Sequence, residues 1–490
     1  GYSADAFAET RKKAYDLGVV DYLTKPLDLN KLLATLVKLD LTIPKELDFN
    51  GDFENDEVVN TEPIELTIQG MSHDGRGVAH HNGKTVFVSG ALPGEEVHAL
   101  IEKQHRRFDE ARCSELISHS EHRAQSVCKH YEQCGGCDLQ HLDASRQIIE
   151  KQGIVLNQLS RLGKVAPEQI DTPLTSPSEH YRRSARLGIN QRQRDDEVLV
   201  GFRRRGSNKI LSIDECPVLE ERLNQVIPML RSSFEDAGNI RDITHAEVSL
   251  GDNDGSITLR VKKRPHSELL DTLTKQAATL NLQLYLDTGE ETHPAETAAD
   301  LYYDLDDHKL RLHFLPGDFL QVNRHVNAAM INRALEWLTP SKEDRILDLF
   351  SGIGNFTLPL ARYAGHVVGV EGIDAMVHRA TSNATDNQLD NCEFYRANLS
   401  DDLRHHPWFR QGFDKILLDP PRTGALEAIQ QLGHYNAKQI LYVSCNPAAL
   451  ARDAEALVEQ GYQFKRFCVM DMFPHTSHVE SLALFEKEAQ

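Results

Sequence analysis

Cysteine, basic charge and long apolar runs are all scarce in this chain. Cysteine occupies 8 of 490 positions, too few and too unevenly spaced for a disulfide scaffold. Lys and Arg number 54 against 74 Asp and Glu, a formal net charge of −20. That balance excludes a protein that coats nucleic acid through bulk positive charge, since a polyanion would be repelled. No run of about 18 apolar residues occurs, so no membrane-spanning helix is expected. No basic segment followed by an apolar core opens the chain, and the expected location is cytoplasmic. The remaining composition, 40% apolar and 26% charged, is that of a globular protein with room for roughly two to four domains.

Five regions follow one another. Residues 1–43 carry an amphipathic stretch, a short strand-like run at Val19–Leu23 and a helical pattern from Leu27 to Leu39. Residues 44–62 are acidic and poor in apolar positions, a solvated linker. Residues 63–119 show short alternating runs punctuated by Gly70, Gly75, Gly77, Gly83, Gly90 and Gly94, the pattern of a small antiparallel barrel. Residues 120–310 form a mixed α+β middle region. Residues 311–490 alternate strand runs (RILDLF, HVVGVEG, KILLDP, QILYVSC) with helical stretches, the signature of a doubly wound α/β sheet.

Charge reverses sign locally in the middle region. Between Arg182 and Lys209 stand nine basic and three acidic residues, among them Arg203, Arg204 and Arg205. Charge runs are usually solvated faces, but so local a reversal fits a phosphate partner. His105, Arg106, Arg107, Phe108 and Arg112 offer a second basic and aromatic surface on the barrel. Residues 287–307 hold eight acids and no Lys or Arg, which reads as an exposed acidic loop.

Four motifs carry chemistry. In Ile346–Phe356 an apolar strand runs into a glycine turn and then a helix near Thr357. Glycines there let backbone approach a ligand, and Glu371 at the end of the next strand suits ribose hydroxyls. Leu418-Asp419-Pro420-Pro421-Arg422 ends another strand at the edge where ligands bind in open α/β folds. Cys445 ends a third strand in YVSCNP; a lone Cys is usually a small core residue, but this position is that of an accessible nucleophile. Glu480 enters the last strand after the loop DMFPHTSHV, where a carboxylate can act as a base; the bland reading is a surface loop. Separately, Cys128, Cys134 and Cys137 cluster, with Cys216 downstream in DECPVL. Four thiolates hold zinc or an iron–sulfur cluster, and spacing alone does not choose between them. Core thiols are the third reading. Cys113, Cys392 and Cys468 lack partner spacing and read as core residues.

These motifs carry resemblances. LGVVDYLTKPLDLNKLLATL resembles the last third of a receiver domain, without its phosphoacceptor pocket, so no phosphorylation switch is expected. IQGMSHDGRGVAHHNGKTVFVSGALPGEEV resembles a TRAM domain, an OB-like barrel of RNA-modifying enzymes. QVN at Gln321–Asn323, DLFSGIGNF, LLDPPRTGA, YVSCNPAALARD and DMFPHTSHVES are together similar to the RNA uracil-5-methyltransferase family. Ser351 stands where relatives often have Cys. The resemblance implies a Rossmann-like class I methyltransferase domain that binds S-adenosylmethionine through Gln321, Phe350, Asn355, Glu371, Asn398 and Asp419. It implies Cys445 as nucleophile at carbon 6 of uracil and Glu480 as the base at carbon 5. It favours a [4Fe-4S] cluster on Cys128, Cys134, Cys137 and Cys216 within the middle domain. It implies 23S ribosomal RNA as partner, with no membrane and no obligate protein partner. A tRNA uracil methyltransferase and a non-catalytic RNA-binding assembly factor are the alternatives.

Overall fold

A computed structural model describes residues 62–298 and 300–487. The receiver-like stretch and most of the acidic linker lie outside the described residues. Among the described residues, no helix is long and apolar enough to cross a membrane.

The first sheet has six strands between Ile64 and Leu116. Alternation along Lys84–Ser89 and Glu96–Gln104 sends Val86, Val88, Val97, Ala99 and Ile101 into a small closed core with Leu66, Ala79 and Ala111, as period-two patterning requires. The hairpin tip between Gln104 and Phe108 stacks His105 on Phe108 (4.3 Å between ring centres) and exposes Arg106 and Arg107.

The middle region builds a seven-stranded sheet in the order Ile210–Ser212, Val198–Arg203, Ser184–Gln191, Ile243–Leu250, Gly255–Val261, Leu282–Asp287, Thr292–Pro294. Its pairs are antiparallel except Gly255–Val261 with Leu282–Asp287. The helices Glu221–Ala237 and Ser267–Thr279 share its core, through Leu223, Ile227, Phe234, Leu270 and Leu273. The acidic stretch 287–307 is more than a loop. It contains the edge strand Thr292–Pro294 and the strand Leu301–Leu305, which pairs with Leu310–Phe314. Its alternating Leu301, Tyr303 and Leu305 are buried while the intervening Tyr302 and Asp304 are half-buried; the count of charges hides this period-two signal.

The C-terminal sheet has eight strands, ordered Cys392–Arg396, His366–Glu371, Arg345–Leu349, Lys415–Leu418, Gln439–Ser444, Glu480–Glu486, Gln463–Met470, Gln169–Ile170. The first five are mutually parallel, and Glu480–Glu486 runs antiparallel to both neighbours. Lys415–Leu418 is buried throughout, as a strand covered on both faces must be. One face packs on the helices Leu426–Leu432, Pro447–Glu459 and Ala144–Leu162; the other on Arg324–Leu338 and Thr357–Tyr363. The helix Ala144–Leu162 comes from the middle of the chain. Asp143 caps it by accepting from the Ser145 N–H (2.9 Å), and its stripe of Ile148, Val155 and Leu159 faces the sheet. Gly163 ends it where a Cβ would collide with the Ala451 carbonyl. The order reverses between Arg345–Leu349 and Lys415–Leu418, so the C-terminal ends of these strands border a switch-point crevice.

Candidate active site

Strand register brings Cys445 and Glu480 together. Ser444 pairs with Ser481 in the antiparallel ladder. One step further, Cys445 leaves its strand opposite Glu480, which enters the neighbouring one. The Cys445 turn is fixed from both sides. The Ser444 hydroxyl donates to the Asn446 carbonyl (3.0 Å) and accepts from the Asn446 N–H (3.2 Å). The Asn446 side chain caps the next helix at the Ala448 N–H (3.1 Å) and donates to the Arg422 carbonyl (2.8 Å). That last bond ties the Cys445 turn to the Asp-Pro-Pro-Arg turn. Asp419 follows Leu418, which pairs with Tyr442, so Asp419 lies beside the same strand end.

Cys445 senses both carboxylates, and Glu480 senses Asp419. Burial pushes the Cys445 thiol up to about 11, and the carboxylates of Glu480 and Asp419 add to the effect while Arg422 opposes it. Burial raises Glu480 to about 8, with Asp419 contributing. Burial alone raises Asp419 to about 7. A thiol and two carboxyls poised near neutrality, together at one crevice, form a candidate chemical site. Cys445 opens into a cleft of about 730 Å³ shared by His73 of the barrel, Lys151 and Arg161 of the long helix, Arg422 and His478.

The glycine turn lies across the crevice. Phe350, Gly352 and Gly354 all have positive φ (66°, 55° and 97°). Nothing lies within 4 Å of a Cβ built on Gly352, so the turn presents bare backbone to open space. Glu371 accepts the Gly352 and Ile373 N–H groups, one on each oxygen at 3.0 Å, which leaves a lone pair on each for a diol. Asp348 is fully buried beneath the turn; burial, then the charges of Asp419 and Glu371, raise it to about 8. Its Oδ1 and the Ser351 hydroxyl are buried without a hydrogen-bond partner, the state expected of groups that meet a polar ligand. The residues therefore fit a nucleoside-bearing cofactor. Asn398 is exposed next to this edge, where the Ala397 N–H donates to the Glu371 carbonyl (3.0 Å).

Sequence reasoning missed a supporting network. Tyr303 and Asn327 both donate to Asn355 Oδ1 (3.0 and 3.1 Å), and Asn355 Nδ2 donates back to Asn327 (2.9 Å). The buried Arg183 donates to the Gln321 carbonyl (2.9 Å) and lies over the Tyr303 ring at 4.8 Å. The buried Tyr303 in an acidic stretch is the one signal that could have found it.

The four cysteines of the middle region also gather. The thiols of Cys128, Cys134 and Cys216 each help to hold Cys137 up near about 12, after burial. Among the described residues, no group of three or more His, Cys, Asp or Glu side chains is placed to hold a metal ion, so the structure does not bear out the expected metal site on Cys128, Cys134, Cys137 and Cys216. The loop carrying Cys128, Cys134 and Cys137 is laced to the basic strand. The Gly135 N–H donates to the Arg203 carbonyl (2.9 Å), Arg204 donates to Gln133 (2.8 Å), and Arg205 donates to the Cys137 carbonyl (2.5 Å). The basic patch is exposed and is also a strut for the cysteine loop. Cys468 is buried, while Cys113 and Cys392 are half-buried against neighbouring cores.

The profile of the family described as tRNA (uracil-5-)-methyltransferase matches residues 145–488, and that of the TRAM domain residues 57–113. The chain is 45% identical over 434 residues to the 23S rRNA (uracil(1939)-C(5))-methyltransferase RlmD of Alkalilimnicola ehrlichii, covering 88% of this chain and 98% of the relative. It is 45% identical over 436 residues to the protein of the same name from Hahella chejuensis, covering 87% and 98%. Among solved structures it is similar to the Pyrococcus abyssi tRNA (uracil-54, C5)-methyltransferase in complex with S-adenosyl-L-homocysteine. There the TM-score is 0.65 at 22% identity, covering 86% of this chain and 100% of that one, a likeness of fold.

Proposed function

The chain belongs to the tRNA (uracil-5-)-methyltransferase family, and from that premise we propose that it methylates carbon 5 of a uracil in 23S ribosomal RNA, using S-adenosylmethionine. The observation that carries this is the pairing of Cys445 with Glu480 at the strand ends, beside the glycine turn. The full-length similarity to relatives named for 23S rRNA supports the ribosomal substrate.

Carbon 5 of uracil is too weak a nucleophile to accept a methyl group unaided. The Cys445 thiolate adds to carbon 6, the ring electrons move onto the carbon 4 oxygen, and carbon 5 becomes nucleophilic. S-adenosylmethionine, when bound, supplies the methyl group on a cationic sulfur. Glu480 then takes the proton from carbon 5, and the electrons of that bond restore the ring double bond and expel the Cys445 sulfur. Asp419 hydrogen-bonds the uracil edge or fixes the cofactor side of the pocket. Glu371 holds the ribose hydroxyls; Gln321, Phe350, Asn355 and Asn398 complete the cofactor pocket. The cleft at Cys445 admits a base turned out of its stack, at a cost of roughly a few kcal/mol. Contacts from the barrel, the helix residue Arg161 and the patch at Arg203–Arg205 offset that cost.

Cys128, Cys134, Cys137 and Cys216 suit a [4Fe-4S] cluster. The family resemblance supports it, and so does the raising of Cys137 by the other three thiols; against it, no three donors among the described residues are placed to hold a metal ion. Methyl transfer has no net redox change, so its part here is structural or RNA-positioning.

Methyl transfer tests the function. Tritiated methyl from S-adenosylmethionine should enter a 23S fragment and not a tRNA arm, and Cys445→Ala should abolish incorporation. Label entering only the tRNA arm would replace the substrate; label persisting in Cys445→Ala would remove the mechanism.

A further inference from the structure

The loop leading to Glu480 is held by residues from outside its own sheet, and one carboxylate takes two donors from a single loop residue. The N–H and hydroxyl of Ser477 both donate to Asp138 Oδ2, at 3.1 and 2.9 Å. The N–H groups of Asp138 and Leu139 in turn donate to the His475 carbonyl, each at 2.9 Å. His475 has φ of +67°, a conformation uncommon for a residue with a Cβ and kept where surroundings over-determine it. Gln147 supplies part of that determination, accepting the His475 N–H at 2.8 Å. Asp138 immediately follows Cys137, and the turn it grips ends at Ser477, three positions before Glu480.

From this geometry we propose that Asp138 is a positioning residue: it sets the turn Phe473–Ser477 so that Glu480 enters its strand facing Cys445. The cysteine loop thus acts on catalysis through the turn it anchors. The proposal rests on the uracil chemistry above, in which Glu480 works after the methyl group has arrived. A displaced Glu480 leaves addition of Cys445 and methyl transfer intact and slows only removal of the carbon 5 proton. The covalent RNA–protein species then waits for its base.

The test uses the full chain with intact metal content and two RNAs, one carrying uracil and one carrying 5-fluorouracil. With uracil RNA, Asp138→Ala should lower kcat by about 10- to 100-fold, the scale of a misplacement of order 1 Å. The RNA KM should fall with it, leaving kcat/KM nearly constant, and a covalent adduct should accumulate on a denaturing gel. Asp138→Asn, which keeps an oxygen for both Ser477 donors, should recover most of the turnover. Ser477→Ala should give the same signature more weakly, and it decides the matter if Asp138→Ala does not fold. A fall in turnover with no adduct on uracil RNA, or no fall at all, would overturn the positioning role. Failure of the unaltered protein to form an adduct with 5-fluorouracil RNA would instead overturn the chemistry beneath it, and the inference with it.

Discussion

At the residue scale the account rests on three groups whose protonation states are set by burial. Cys445 is held up to about 11, so at neutral pH it is a thiol that, in the proposed mechanism, must lose a proton before it attacks. Glu480, raised to about 8, serves as the proposed base only once ionised. Both requirements favour higher pH, and they separate experimentally. Adduct formation with 5-fluorouracil RNA needs the thiolate and should rise steadily between pH 6 and 9 without a plateau. Turnover on uracil RNA also needs the Glu480 carboxylate, so it should fall more steeply as pH drops through about 8. Single-turnover rates on the two RNAs read this difference; parallel profiles would contradict it. The sequence placed Cys445, Glu480 and Asp419 at strand ends beside turns, and the strand register brings those ends together; their proposed roles came from the family resemblance. Asp138 was not legible there, because its partner Ser477 lies 339 positions away and an Asp after a Cys looks like loop polarity.

At the scale of elements, the long helix Ala144–Leu162 joins the middle of the chain to the loop before Glu480. Its apolar stripe is interrupted by Lys151, which is 1% exposed and donates to Asp471 (2.7 Å) and to the Phe473 carbonyl (3.1 Å). A charged residue on the buried face of an amphipathic helix demands a partner, but the sequence does not say which, since Asp471 stands 320 positions on. Burial lowers the Lys151 pKa against the raising effect of Asp471, and the pair persists because each charge compensates the other. Lys151→Met should cost about 3–5 kcal/mol by leaving Asp471 buried and unpaired. Adding Asp471→Asn should restore much of that. Urea unfolding measures both; equal stability of the single and double variants would show that the pair is not coupled.

At the scale of the molecule, a chain of net charge −20 confines its positive surface to a few places. The exposed hairpin tip at Arg106 and Arg107 and the strand at Arg203–Arg205 are two of them, and the cleft at Cys445 is bordered by Arg161 and Arg422. The doubly wound sheet was legible because the runs in Arg345–Leu349, His366–Glu371, Lys415–Leu418 and Gln439–Ser444 are mostly apolar and each ends at a motif singled out above. The barrel was legible from glycine spacing and alternation. The supports between regions were hidden: Arg183 reads as one member of a basic run, yet it is buried against Gln321 and Tyr303. The central claim joins all three scales, since it needs the thiol, the turn that presents it and the RNA surfaces together. The measurement that tests it most directly is trapping with S-adenosylmethionine and a 23S fragment carrying 5-fluorouracil, followed by mass mapping of the linked peptide. Fluorine at carbon 5 cannot leave as a proton does, so the account predicts a stable adduct on Cys445 that disappears in Cys445→Ala. An adduct on any other residue, or none from protein that still binds the RNA, would contradict it.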